Sequence, residues 1–212
     1  MRTKWGYRLS DSSEEEEKET QPYSPLSDLT NSSGFVRCVE NTIYFYADVN
    51  ANTCCELNRL LRDVDSRLNQ AKVIMNNPGF NPIIHLRINS FGGDVFAAMA
   101  TVDTIRSLRC DVYSYVEGAA GSAATMISVA AKKRFIGKNS LMLIHQLSSI
   151  CSGTFEQLKD DNENNHRIMG IIKNLYKQYT KIPVKELENI LKRDIWFDSA
   201  TCLKYGLIDE IF

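Results

Sequence analysis

The chain has 212 residues, 25 Lys and Arg against 26 Asp and Glu, and is 43% hydrophobic and 24% charged, which suits one good-sized core with a tail. A net charge of −1 gives no electrostatic reason to bind nucleic acid or an anionic membrane, so neither is expected as a partner. No run approaches about 18 uninterrupted apolar residues, and the start of the sequence leads into Glu14-Glu15-Glu16-Glu17 rather than a secretory or transit segment, so a soluble cytoplasmic protein is expected.

Residues 1–34 are acidic and rich in Ser and Thr, with apolar residues only scattered among them. Such a segment cannot bury enough surface to offset its ordering entropy, so it reads as a disordered tail, with the folded domain over residues 35–212. Beyond Gly34, strands and helices alternate. Thr42 to Asp48 shows strand alternation, and Thr53-x-x-Glu56 reads as a capping box opening a helix with Leu57, Leu60, Leu61, Val64 and Leu68 on one stripe. Asn77-Pro78-Gly79 stops that helix. Pro82 to Ile88 is a second strand, Asn89-Ser90-Phe91-Gly92-Gly93 a tight loop, and Val95 to Leu108 a helix.

A third strand, Asp111 to Val116, feeds the small-residue run Gly118 to Ala124, which lets a helix start with its backbone against neighbours. Lys132 and Lys133 end that helix, and Arg134 to Gly137 and Leu141 to His145 are further strands. Thr154 to Thr180 is one long helix, polar in its first half and apolar at Ile168, Ile171, Ile172 and Leu175, a pattern that suits a helix projecting from the domain. Pro183 starts another helix, and Leu207 to Phe212 is a last strand. Repeated strand-helix-strand units imply right-handed crossovers and an α/β domain.

The cysteines, Cys38, Cys54, Cys55, Cys110, Cys151 and Cys202, form no C-x-x-C pair and read as reduced packing residues. His85 reads as a core or interface histidine and His166 as a solvated one, and neither has partners at metal-ligand spacing, so no metal or cofactor is expected. No Gly-rich phosphate loop with Lys is present, so ATP hydrolysis would need a separate protein. Ser122, His145 and Asp194 are each ordinary taken alone, but all three fall where strands and helices meet, the region of an α/β fold where sites are built. A serine attacks a carbonyl only with a histidine in reach and an acid to fix its tautomer. Gly92-Gly93 and the N–H of Ala123 can supply oxyanion donors, though the glycine pair alone reads equally well as a strand-to-helix turn.

The segments Ile88-Asn89-Ser90-Phe91-Gly92-Gly93, Gly118-Ala119-Ala120-Gly121-Ser122, Ile144-His145-Gln146, Arg193-Asp194 and Tyr205-Gly206-Leu207-Ile208-Asp209 resemble, in that order, the signature segments of the Clp protease proteolytic subunit family. The resemblance implies a crotonase-like spiral of β-α-β units, seven-membered rings, two of them stacked around a chamber, and an AAA+ unfoldase partner delivering unfolded polypeptides. It implies Ser122 as nucleophile, His145 as general base and Asp194 as orienting acid, with Gly93 and Ala123 as oxyanion hole and Gly92 and Gln146 beside the substrate. The chain departs from the family pattern at Phe91 and Leu147, where proline is usual, and in Ala119-Ala120-Gly121-Ser122-Ala123, where a small-Ala-Ala-Ser-Met stretch is usual; these departures bear on substrate fit. The segment from Ser122 to His145 is also about two residues short, placed in the turn around Ala131-Lys132-Lys133, and residues 1–34 share nothing with the family's pore-forming amino-terminal segment. Two rival readings stay open: a weak or inactive ring subunit of the same fold, and a crotonase-type acyl-CoA hydratase or isomerase, which would leave His145 unexplained.

Overall fold

A computed structural model describes residues 34–77 and 79–212; residues 1–33, and with them the reading of a disordered tail, lie outside the described residues. The described chain opens on β1 (Gly34–Val39), an edge strand not anticipated from the sequence, which pairs antiparallel with β2 (Thr42–Ala47). Val36 and Cys38 pack against the core while Phe35, Arg37 and Val39 are exposed, so apolar residues stand on both faces and the sequence shows no clean apolar-polar alternation. β2 buries Ile43, Phe45 and Ala47, whose alternation directs one face of the sheet to the core.

Helix α1 (Ala51–Ile74) starts three residues earlier than the expected cap at Thr53 implies. Asn50 is the cap: its extended backbone lets Oδ1 accept the N–H groups of Asn52 and Thr53, while Thr53 Oγ1 accepts the N–H of Asn50. The expected stripe holds, with Leu57, Leu61 and Val64 buried and Leu60 and Leu68 packed beside them. Buried Asp65 ties α1 to the next crossover by accepting the N–H groups of Cys110 and Arg109. Burial raises its carboxyl pKa, but those donors more than offset it, leaving the group below the usual carboxylate range.

β3 (Ile83–Ser90) leads through the glycine loop to α2 (Val95–Ser107), capped by Asp94, and then to β4 (Asp111–Gly121). Here the expected boundary moves. The run Gly118 to Gly121 is strand, not the start of a helix, because β4 has two successive partners on the side away from β3: Tyr113 to Val116 pair with β5 (Lys133–Ile136), and Ala119 to Gly121 pair with β6 (Leu141–Leu143). Gly118, at φ +82, lets the strand bend between the two. Helix α3 (Ala123–Val129) follows Ser122 and ends before Lys132, while Lys133 already belongs to β5.

The long helix α4 (Phe155–Tyr179) matches the expected span. Its first half buries no side chain, whereas Ile172, Leu175 and Tyr176 in the second half enter the core. Two short helices follow, α5 (Val184–Ile190) and α6 (Ser199–Lys204), before β7 (Glu210–Ile211) closes against β5. The sequence does not mark α6, because six residues make too short a window for a helical period. The sheet runs β1-β2-β3-β4-β5-β7 with β6 on the far part of β4, and every pair except β1–β2 is parallel. The mixed α/β expectation is therefore met by a bent parallel sheet with crossover helices. No helix among the described residues is long and apolar enough to cross a membrane.

Candidate active site

All the functional candidates but one sit just past the carboxyl ends of three parallel strands: Phe91 to Gly93 after β3, Ser122 after β4, and His145 two residues after β6; Asp194, expected where a strand meets a helix, instead lies in the loop between α5 and α6. Parallel strands end at one edge of the sheet, so their following loops converge. Ser122 adopts φ +51 and ψ −123, a conformation that side chains rarely take, between the last strand residue and the first turn of α3. Its N–H donates to the carbonyl of Leu143 (2.7 Å), and its carbonyl accepts from the Thr125 hydroxyl (2.6 Å). Thr125 in turn bonds the hydroxyl of Tyr176, buried on α4, so three elements hold the serine backbone in place. Holding a non-glycine residue at positive φ costs about 1–3 kcal/mol. Ser122→Gly should therefore be more stable than Ser122→Ala by about that amount, read as a higher thermal midpoint.

His145 lies between its two expected neighbours. With the proton on Nδ1 it donates to Asp194 Oδ1 (2.6 Å), and Nε2 accepts from the Ser122 hydroxyl (2.7 Å). The Asp194 loop is pinned on both sides of that contact. The N–H of Gln146 donates to the carbonyl of Leu191 (2.7 Å), and Phe197 exchanges two backbone hydrogen bonds with Met142 in β6 (2.7 and 3.0 Å). Asp194 itself is open to solvent, with 77% of its side chain exposed against 26% for His145.

The glycine loop presses on the serine from the other side. A Cβ on Gly92, at φ +100, would stand 2.8 Å from Ser122 Cβ and 2.5 Å from the carbonyl oxygen of Gly121. A Cβ on Gly93, at φ +144, would fall 2.2 Å from the carbonyl oxygen of Val49. Val49 fastens this loop, donating to the Gly92 carbonyl (2.9 Å) and accepting from the N–H of Asp94 (2.7 Å). The Gly92 N–H is used as well, on Ser90 Oγ. The N–H groups of Gly93 and Ala123, in contrast, find no acceptor among the described residues. Gln146 lies beside the site with its side chain exposed.

The other candidates are remote from this cluster. His85 bonds Tyr115 on the sheet face away from α1 to α3, and His166 is exposed on α4. Burial pushes the thiols of Cys110 and Cys202 up to about 12, with Asp65 and Asp198 adding to it, so neither is a nucleophile at neutral pH. Among the described residues there is no group of three or more His, Cys, Asp or Glu able to hold a metal ion. Nothing in the sequence marks Val49, Leu143, Thr125 and Tyr176, which act through hydrogen bonds to backbone and distant pairings. The same holds for Trp196, whose ring tip lies against Gly121.

Fold and contacts together define an α/β protein with a serine-histidine-aspartate relay at the carboxyl edge of its sheet. The sequence model of the Clp protease family matches residues 62–212, and the chain belongs to that family. It is 39% identical over 133 residues to the ATP-dependent Clp protease proteolytic subunit of Streptococcus mutans, covering 60% of this chain and 67% of that one. With the ATP-dependent Clp protease proteolytic subunit of Cyanophora paradoxa it shares 32% identity over 131 residues, 61% of this chain and 68% of the relative. The solved structure of a ClpP1 mutant from Listeria monocytogenes matches with a TM-score of 0.70 at 23% identity, covering 82% of this chain and 91% of that one, which shows the ClpP-type fold.

Proposed function

We propose that this chain is a cytoplasmic serine endopeptidase subunit that hydrolyses peptide bonds of unfolded polypeptides inside a ring chamber. The observation that carries the reading is the unbroken relay from Ser122 Oγ through His145 to Asp194, beside two unused backbone donors. Ser122 Oγ attacks the scissile carbonyl as His145 Nε2 takes its proton, and Asp194 steadies the imidazolium. The N–H groups of Gly93 and Ala123 receive the oxyanion. His145 then protonates the leaving amine, and water releases the acyl group by the same path in reverse. The crotonase-type hydratase reading loses ground, because it gives His145 and its carboxylate no work.

The relatives' description as proteolytic subunits of an ATP-dependent protease, with no phosphate-binding loop in this sequence, supports a separate AAA+ ATPase that unfolds and delivers the substrate. Closed rings are supported by the family and by the projecting half of α4, where Phe155 and Leu158 stay exposed. Seven copies of the 24.1 kDa chain make about 169 kDa and two stacked rings about 337 kDa. The test combines light scattering with fluorogenic peptide cleavage: activity at ring mass is expected, and a stable, active monomer would refute the chamber.

The acidic segment is proposed to stand outside this machinery. Deleting residues 1–33 leaves β1 whole and paired to β2, so ring mass and small-peptide cleavage should change less than about tenfold, equivalent to about 1.4 kcal/mol in barrier. A truncated protein that cannot form rings would make the segment structural.

A further inference from the structure

We propose that Phe91 and Trp196 form the wall that selects the substrate side chain beside the bond Ser122 attacks, and that this wall takes a large aromatic side chain. The inference rests on the peptidase reading above. The Trp196 ring and the Phe91 backbone both reach the nucleophile's immediate neighbour. A Cβ on Gly121, the residue before Ser122, would lie 3.2 Å from Trp196 Cη2 and 2.9 Å from the Phe91 carbonyl oxygen. Glycine at 121 therefore leaves room for the indole against the backbone that carries the serine. The two rings then meet edge to face, with centroids 6.0 Å apart and planes at 90°.

Each ring stands on a fixed piece of the machinery. Phe91 precedes Gly92, whose backbone abuts Ser122 and is fastened by Val49. Trp196 lies two residues past Asp194 and directly before Phe197, which is locked to Met142. A wall built on two pinned segments loses little freedom when a ligand arrives. Yet the pair is only half satisfied, because Phe91 is 71% exposed and Trp196 36% exposed. An edge-to-face pair with open faces accepts a third ring in the same offset or perpendicular geometry, and gains by removing all three from water. A small side chain at that place would leave both faces wet.

The test uses the full chain and matched fluorogenic peptides that differ only in having Phe or Ala on the carbonyl side of the scissile bond. The ratio of kcat/KM for Phe over Ala should favour Phe in the wild type, and should fall about tenfold or more in Phe91→Ala and in Trp196→Ala. The conservative Phe91→Tyr and Trp196→Phe should keep most of it. A wild-type protein that cleaves both peptides with equal kcat/KM, or alanine variants that lose both equally, would overturn the wall and leave the peptidase reading intact. A second measurement needs no turnover. In a Trp5→Phe, Ser122→Ala protein, Trp196 is the sole tryptophan. Its emission should respond to the Phe peptide at about tenfold lower concentration than to the Ala peptide. Equal responses would overturn the wall. A selective response in a protein whose wild type cleaves nothing would instead sink the peptidase reading while supporting the wall.

Discussion

Ser122→Ala and His145→Ala are expected to fold and assemble, yet lose cleavage of short fluorogenic peptides by about 10⁴-fold or more. The expectation follows from the relay: removing the hydroxyl removes the atom that attacks, and removing the imidazole leaves that hydroxyl protonated at neutral pH. Neither side chain holds the loop, because the Ser122 backbone is bonded to Leu143 and Thr125. Asp194→Asn should cost less, about 10²–10⁴-fold, because the carboxylate is largely in water and solvent can take part of its role towards Nδ1. Circular dichroism and native mass of each variant separate lost chemistry from lost fold, and near wild-type turnover in Ser122→Ala would remove the serine from the mechanism.

Gly93→Val is the second large effect, with an expected loss of about 10²–10³-fold in kcat. A side chain there would place its Cβ within 2.2 Å of the Val49 carbonyl oxygen, on a residue already at φ +144. The obstacle is backbone, not a flexible side chain, so the loop itself must shift, and it carries the N–H proposed to meet the oxyanion. The loss should appear in kcat more than in KM, since the donor acts on charge that develops only in the transition state. Unchanged kcat would show that the Gly93 N–H takes no part.

How far the sequence led depends on whether the signal was local. The inner strands were legible because their buried residues alternate, as Ile84, Leu86 and Ile88 do. The start of α1 was misplaced because Thr53 and Glu56 mimic a cap, whereas the extended backbone that makes Asn50 the cap is a property of the chain leaving β2. The length of β4 was hidden for a similar reason. Gly118 to Gly121 have weak strand preference, and it is pairing with Ser90 of β3 and with β6, some twenty residues onward, that makes the run a strand. At the site, Ser122, His145 and Asp194 stand out through ordered segments resembling a family, and the structure brings their side chains into one hydrogen-bonded chain. Val49 and Tyr176 were not legible, because each acts on the site through the fold rather than through a motif.

The most direct measurement of the central claim is covalent. The full-length protein is treated with a fluorophosphonate and its modified residue mapped by peptide mass spectrometry. A single adduct on Ser122, absent from Ser122→Ala and strongly slowed in His145→Ala, is the predicted result. A protein that assembles and binds peptides but carries no adduct on Ser122 would contradict the account.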